Sequence, residues 1–158
     1  VTINKALFSS AKSDWETPAV VFRMMNARHN FTLDACASAE NAKVKTYFTK
    51  EHDALKQRWT GRVWMNPPYG RNIIGKWVAK AYLESQKCEI VCCLLPARTD
   101  TAWWHDFCMF GQIELIRGRL KFVGAETGAP FPSAIVTFGR NIRIRDLVGV
   151  VTALEIPK

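Results

Sequence analysis

The run Ile90-Val91-Cys92-Cys93-Leu94-Leu95 constrains this chain more than any other stretch. A segment that is apolar on both sides of its pleat must be covered on both faces. It is therefore expected to be a central parallel strand, ended by Pro96, which has no amide hydrogen for a ladder. Strand and helix signals alternate around it. Thr17-Pro18 is expected to open a helix running to about Arg28, with the threonine hydroxyl as cap, proline in the first helical position, and Val21, Phe22 and Met25 buried. Phe31 to Leu33 reads as a short strand ending at Asp34. Arg62 to Met65 reads as another, admitted by Gly61 and stopped by Asn66-Pro67-Pro68. Ile73 to Ser85 carries Ile74, Trp77, Val78, Ala81 and Tyr82 on one apolar stripe of a helix. Trp103 to Met109 is a further helix and Ile113 to Ile116 a further strand. Ala134 to Phe138 is expected to pair antiparallel with Arg119 to Val123 across the turn-rich stretch Gly124 to Ser133.

Three segments have no decisive period. Residues 1 to 13 look irregular, Ala35 to Lys45 is a short helix or an extended loop, and Ile142 to Ile156 is a last strand or a packed tail. These elements predict an α/β three-layer sandwich, with a mostly parallel sheet and a C-terminal antiparallel hairpin, in one domain over residues 1–158. Asp34, Asn66 and the Arg98–Asp100 group all fall just past strand ends, where such folds bind ligands.

The sharpest chemical signal is Asn66-Pro67-Pro68-Tyr69-Gly70 at one of those ends. Two prolines hold the backbone extended, and Gly70 lets it turn away. The Asn66 side-chain carbonyl and the Pro67 backbone carbonyl are then two acceptors held side by side, suited to a planar amino group with two hydrogens, such as the exocyclic nitrogen of adenine. Accepting both hydrogens turns the nitrogen lone pair out of the ring plane toward an electrophile. Tyr69 supplies a flat face on which a base can stack. A proline-stiffened loop that merely ends a strand would carry the same residues.

Charge agrees with such a substrate without proving it. The net charge is +8, from 22 basic and 14 acidic residues, which favours an anionic partner or, more blandly, solubility. Arg117, Arg119 and Lys121 alternate with Gly118, Leu120 and Phe122, so extended backbone would place the three cations on one face. Arg143 and Arg145 repeat the pattern around Ile144, while Arg71 and Arg98 adjoin the candidate site loops. All are candidates for phosphate contact, and a solvated sheet face would show the same alternation.

Several classes recede. No apolar run is long enough to cross a bilayer, and the N-terminal stretch lacks the run of a secretory signal, so a cytoplasmic location is expected. The five cysteines, Cys36, Cys88, Cys92, Cys93 and Cys108, form no pair of CxxC knuckles. They read as small core residues in a reducing compartment, with no metal expected and no thiol nucleophile.

The chain resembles the phage-type DNA N6-adenine methyltransferases, distant relatives of bacterial Dam enzymes. Their wider group carries Asp, Asn or Ser, then Pro-Pro, then Tyr or Phe, matched here by Asn66, Pro67, Pro68 and Tyr69. Further matches run in family order through Trp15-Glu16-Thr17-Pro18, Phe31 to Ala37, Tyr47-Phe48-Thr49 with Asp53, Trp64 to Gly70, Leu95 to Asp100, and Gly118 to Phe122, covering about residues 9 to 139. The resemblance implies a Rossmann-like methyltransferase fold with S-adenosylmethionine as cofactor. It also implies double-stranded DNA as partner and direct transfer to a flipped adenine without a covalent enzyme intermediate.

By the same resemblance Asn66 to Tyr69 are catalytic, and Trp15, Thr17, Pro18, Asp34, Ala35, Cys36, Asp53 and Asn66 surround the cofactor. Asp34 would meet the methionyl amine and Asp53 the adenine amino group. Ribose would fall to Glu40 or Asn41. The stretch Leu33-Asp34-Ala35-Cys36-Ala37-Ser38 departs from the family's usual glycine-rich form, having no glycine. Other substrates for the same clamp are cytosine N4, a base in RNA, or a protein glutamine. A reading of another class is a nucleic-acid-binding protein that keeps the scaffold without catalysis. No large target-recognition module fits in this length, so sequence preference would come from loops such as Gly124 to Ser133, and a homodimer is one way to enlarge the contact surface.

Overall fold

The computed structural model describes residues 14–140, 142 and 151–157. The second basic pair, Arg143 and Arg145, lies outside them. Among the described residues six strands form one sheet: β1 Leu33–Asp34, β2 Arg62–Met65, β3 Ile90–Pro96, β4 Gln112–Ile116, β5 Ser133–Gly139 and β6 Val151–Leu154. Their order is β1-β2-β3-β5-β4-β6. β1–β2, β2–β3 and β4–β6 are parallel, and β5 runs antiparallel to both β3 and β4. The central apolar run is β3, buried from Val91 onward and flanked on both sides; it is parallel to β2 as expected but antiparallel to β5.

The helices are α1 Ala19–His29, α2 Ile74–Ser85 and the short α3 Ala102–Asp106, followed by a 3-10 turn at Cys108–Phe110. Register shows that α1 and α2 cover opposite faces. Arg28 of α1 reaches Glu114 of β4 at 2.8 Å, whereas Tyr82 of α2 packs its ring edge-on against Phe138 of β5. Glu114 sits opposite Ile135, and Phe138 is three residues along from Ile135, so the two contacts lie on opposite sides of the pleat. On the α1 side, Phe22, Phe31 and Trp64 form an aromatic cluster with centroids 5.5 to 5.9 Å apart.

Two expectations are corrected, and the alternatives left open at Ala35 to Lys45 are decided. Thr17 makes no capping bond: Pro18 stands at the cap position, and Phe22 N–H donates to its carbonyl instead. Arg119 to Val123 is not a strand. Gly118 turns the chain at φ 78°, in the left-handed region that suits glycine. The stretch is tied to the return loop by Ala129 N–H to the Leu120 carbonyl at 2.8 Å and by the turn bond from Ala125 N–H to the Phe122 carbonyl at 3.0 Å, with no ladder to β5 among the described residues. The antiparallel partners of β5 are therefore β3 and β4. Ala35 to Lys45 is no helix but a bent loop that rejoins the sheet through an isolated bridge between Asp34 and Tyr47. The ambiguous C-terminal stretch contains a strand, β6, parallel to β4.

Candidate active site

At the carboxyl ends of β1 and β2 lies a cavity of about 920 Å³, ample for a small-molecule ligand. Trp15, Thr17, Asp34, Ala35, Cys36, Asp53, Asn66, Pro67 and Pro68, chosen from the sequence, all line it. Glu40 and Asn41 line it too, whereas Pro18, Tyr69, Arg71, Arg98, Arg117, Arg119 and Lys121 do not.

Asn66 emerges where Pro67 forbids β2 to continue. Its Nδ2 donates to the Trp15 carbonyl at 2.5 Å and to Thr17 Oγ1 at 2.9 Å. Its Oδ1 accepts from the Tyr69 hydroxyl at 2.8 Å. That hydroxyl also lies 3.0 Å from the Leu94 carbonyl. One proton thus stands between two acceptors, and turning it to Leu94 frees Asn66 Oδ1 without losing a hydrogen bond. Burial pushes the Tyr69 hydroxyl well above its ordinary pKa, so it stays protonated.

Tyr69 does not offer the open stacking face expected of it. It is 3% exposed, with Phe131 and Phe122 meeting its ring edge-on at 5.6 and 6.2 Å. Trp15 closes the cluster, 5.2 Å from Phe131 and 5.3 Å from Phe122. The sequence reading missed these two phenylalanines at the site because Phe122 reads as part of a strand and Phe131 as part of a loop, and only the fold brings both over the motif.

Asp34 ends β1 and is 2% exposed. Its carboxylate accepts from Cys36 N–H at 3.2 Å and Lys43 N–H at 3.1 Å. Those two bonds gather the loop that lacks glycine, and small side chains at Ala35, Cys36 and Ala37 keep the wall open beside it. Desolvation raises the Asp34 pKa to about 6, against the lowering effect of the Lys43 and Cys36 amides. The Cys36 thiol is driven well up by burial and by the neighbouring Asp34 charge, so no thiolate nucleophile stands here. Asp53 sits at φ 49°, an uncommon conformation for a residue with a side chain, and its carboxylate holds Lys56 Nζ at 2.9 Å.

Among the described residues, six acidic side chains (Asp14, Glu16, Asp34, Glu40, Glu51 and Asp53) and two lysines (Lys43 and Lys50) line the cavity. In a chain of net charge +8, that local excess of acid suits a ligand carrying positive charge. Trp77, expected only as part of an apolar stripe, also lines the wall, and its indole N–H is buried without a partner among the described residues. Such an orphan donor costs stability unless something accepts from it.

The basic residues separate into three kinds. Arg98 is half-buried and donates to the Tyr69 carbonyl at 3.1 Å, holding the turn after the motif rather than standing free for phosphate. Arg117 pairs with Glu155 at 3.0 Å on the surface. Arg71, Arg119 and Lys121 are exposed, and between the last two Leu120 is buried, as the alternation predicts even without a strand. This stretch is tied to the site: Phe122 packs on Trp15, Val123 lines the cavity, and Val123 N–H donates to the Glu16 carbonyl at 3.2 Å.

A motif amide locked at a strand end, beside an acidic cavity and next to a basic stretch, is the arrangement that the resemblance calls for. The profile of the family described as DNA N-6-adenine-methyltransferase (Dam) matches residues 5–138. This chain belongs to that family. It is 34% identical over 125 residues to the DNA N-6-adenine-methyltransferase of Haemophilus phage HP1, covering 75% of this chain and 71% of the relative. It is 35% identical over 134 residues to the protein of the same name from Escherichia phage T1, covering 72% of this chain but 55% of that longer relative. Membership in the Dam family implies S-adenosylmethionine as methyl donor and DNA as substrate. Among the described residues of this Dam family member, no helix is long and apolar enough to cross a membrane.

Proposed function

We propose that this chain transfers a methyl group from S-adenosylmethionine to the exocyclic N6 of adenine in double-stranded DNA, on a Rossmann-like methyltransferase scaffold. The observation that carries the proposal is the Asn66 carboxamide, oriented by three hydrogen bonds on the wall of an acidic cavity at the end of β2.

The cavity residues fit the cofactor. Asp34 and its acidic neighbours suit a ligand with an ammonium and a sulfonium, small side chains at Ala35 to Ala37 leave room for it, and Trp77 holds an unused donor. When bound, the cofactor supplies an activated methyl group, so the protein needs neither a metal nor a nucleophile of its own. Asn66 Oδ1 and the Pro67 carbonyl accept the two N6 hydrogens and orient the lone pair, the Tyr69 proton having turned to the Leu94 carbonyl. A base entering against Tyr69 displaces Phe131, a half-buried member of the aromatic cluster that meets the Tyr69 ring. Arg119, Lys121 and Arg71 neutralise phosphates around it.

The test is incubation of the protein with labelled S-adenosylmethionine and unmethylated mixed-sequence DNA, followed by nucleoside analysis. N6-methyladenine is the expected product. Label on cytosine, or none in DNA while protein or RNA becomes labelled, would overturn the substrate assignment. For the basic stretch, Arg119→Ala is expected to weaken DNA binding and to lower the slope of log affinity against log salt by about 1. Titrations at several salt concentrations measure both, and an unchanged slope would remove Arg119 from the DNA-binding face.

A further inference from the structure

A side-chain amide has two ends of similar shape and opposite polarity, so a catalytic role for Asn66 depends on which end faces the substrate. Here the choice is made by the segment before α1. Both Nδ2 hydrogens are engaged, one by the Trp15 carbonyl at 2.5 Å and one by Thr17 Oγ1 at 2.9 Å. Turning the amide over would bring Oδ1 against the Trp15 carbonyl, two oxygens with no proton between them. The Trp15 carbonyl therefore forbids the flip. Thr17 engages the second hydrogen; once the Tyr69 proton has turned to the Leu94 carbonyl, the amide would otherwise pivot about a single bond. Thr17 is 3% exposed and makes no bond at the helix start, the task its sequence position suggests.

We propose that the Thr17 hydroxyl is a positioning residue for methyl transfer: together with the Trp15 carbonyl it locks the Asn66 carboxamide with Oδ1 presented to the target amino group. The proposal rests on Asn66 being the clamp of the transferase reading. It adds a reason why asparagine suits this chain at a motif position where relatives also use aspartate. A carboxylate there has no hydrogen to give the Trp15 carbonyl. The lock also joins the two halves of the site, because the segment that lines the cofactor cavity is the one that orients the catalytic amide.

The test compares Thr17→Val, which keeps the shape and removes the hydroxyl, with Thr17→Ser, which restores it. Thr17→Val is expected to lower kcat about tenfold while KM for DNA and affinity for S-adenosylmethionine change by less than about twofold, and Thr17→Ser to recover most of the loss. A second readout needs no turnover. The Asn66 side-chain amide protons, assigned by their absence from Asn66→Ala in a nitrogen-15 spectrum, should both be protected from solvent exchange in the parent protein. In Thr17→Val one of them should lose that protection. Unchanged kcat, a loss confined to cofactor affinity, or unchanged amide protection in Thr17→Val would each overturn the proposal. Failure of the transferase reading looks different, since parent and variants alike would then form no N6-methyladenine.

Discussion

Asn66→Ala is expected to slow methyl transfer by at least about a hundredfold while leaving a folded protein that still binds S-adenosylmethionine. The figure follows from what removal of one preorganised hydrogen-bonding group from an active site ordinarily costs. Alanine removes the only side-chain acceptor of the clamp and leaves the Pro67 carbonyl to hold one N6 hydrogen, so the lone pair is no longer steered. The structural side is modest by comparison. The Trp15 carbonyl and Thr17 hydroxyl lose their donor, but Tyr69 keeps the Leu94 carbonyl as acceptor. A stability loss of about 1–3 kcal/mol is expected from the two unpaired groups. Single-turnover rates at saturating cofactor, read beside a thermal melt, separate the two effects. Full activity in Asn66→Ala would sink the mechanism.

Cofactor affinity is expected to fall with pH as Asp34 protonates. The pKa of this carboxyl in the folded protein is raised to about 6 from 3.8, so its neutral form is the one the fold favours. Its contribution to folding stability is accordingly greatest below 3.8 and declines as pH rises through about 6. Attraction for a cationic ligand runs the other way, because only the carboxylate attracts it. Binding of S-adenosylmethionine should therefore weaken as pH drops from 7.5 through about 6 toward 5. Asp34→Asn should be weaker by roughly tenfold or more at neutral pH and much flatter with pH, given the usual worth of a hydrogen bond to a charged group. Asparagine can also accept only one of the two amides, Cys36 and Lys43, that the carboxylate gathers, so part of the loss reflects a looser loop. Calorimetric titration across that range measures both. Equal pH dependence in the parent and Asp34→Asn would take Asp34 out of cofactor recognition.

Much of the site is legible in residues close together in the chain. Asn66 to Tyr69 declare themselves because prolines stop a strand at a polar residue, a local steric fact. Asp34 stands out for the same reason, a carboxyl at the end of an apolar strand. Asp34, Asn66, Pro67 and Pro68 line the cavity where expected, whereas Tyr69 does not. The helices α1 and α2 and strands β2 and β3 follow from apolar periodicity, and their bounds fall within a residue or two of the expected ones. The misses share a cause. Thr17-Pro18 looks like a helix cap, yet the hydroxyl turns to Asn66, 49 residues away. Arg98 looks like a phosphate ligand, yet it serves the Tyr69 carbonyl, 29 residues away. Arg119 to Val123 alternates like a strand, and the alternation of burial holds although Gly118 bends the chain out of the sheet.

By itself, then, the order of residues determined the α/β pattern, the buried central strand, the clamp motif and the family, because these rest on periodicity, proline geometry and adjacent side chains. The tertiary structure decided which partner each polar side chain takes. It set β5 antiparallel between β3 and β4, folded Phe122 and Phe131 over Tyr69, and placed Thr17 and the Trp15 carbonyl against the Asn66 amide. The reason is physical: a buried donor must be satisfied by whatever acceptor packing brings within about 3 Å, and sequence separation has no bearing on which one that is.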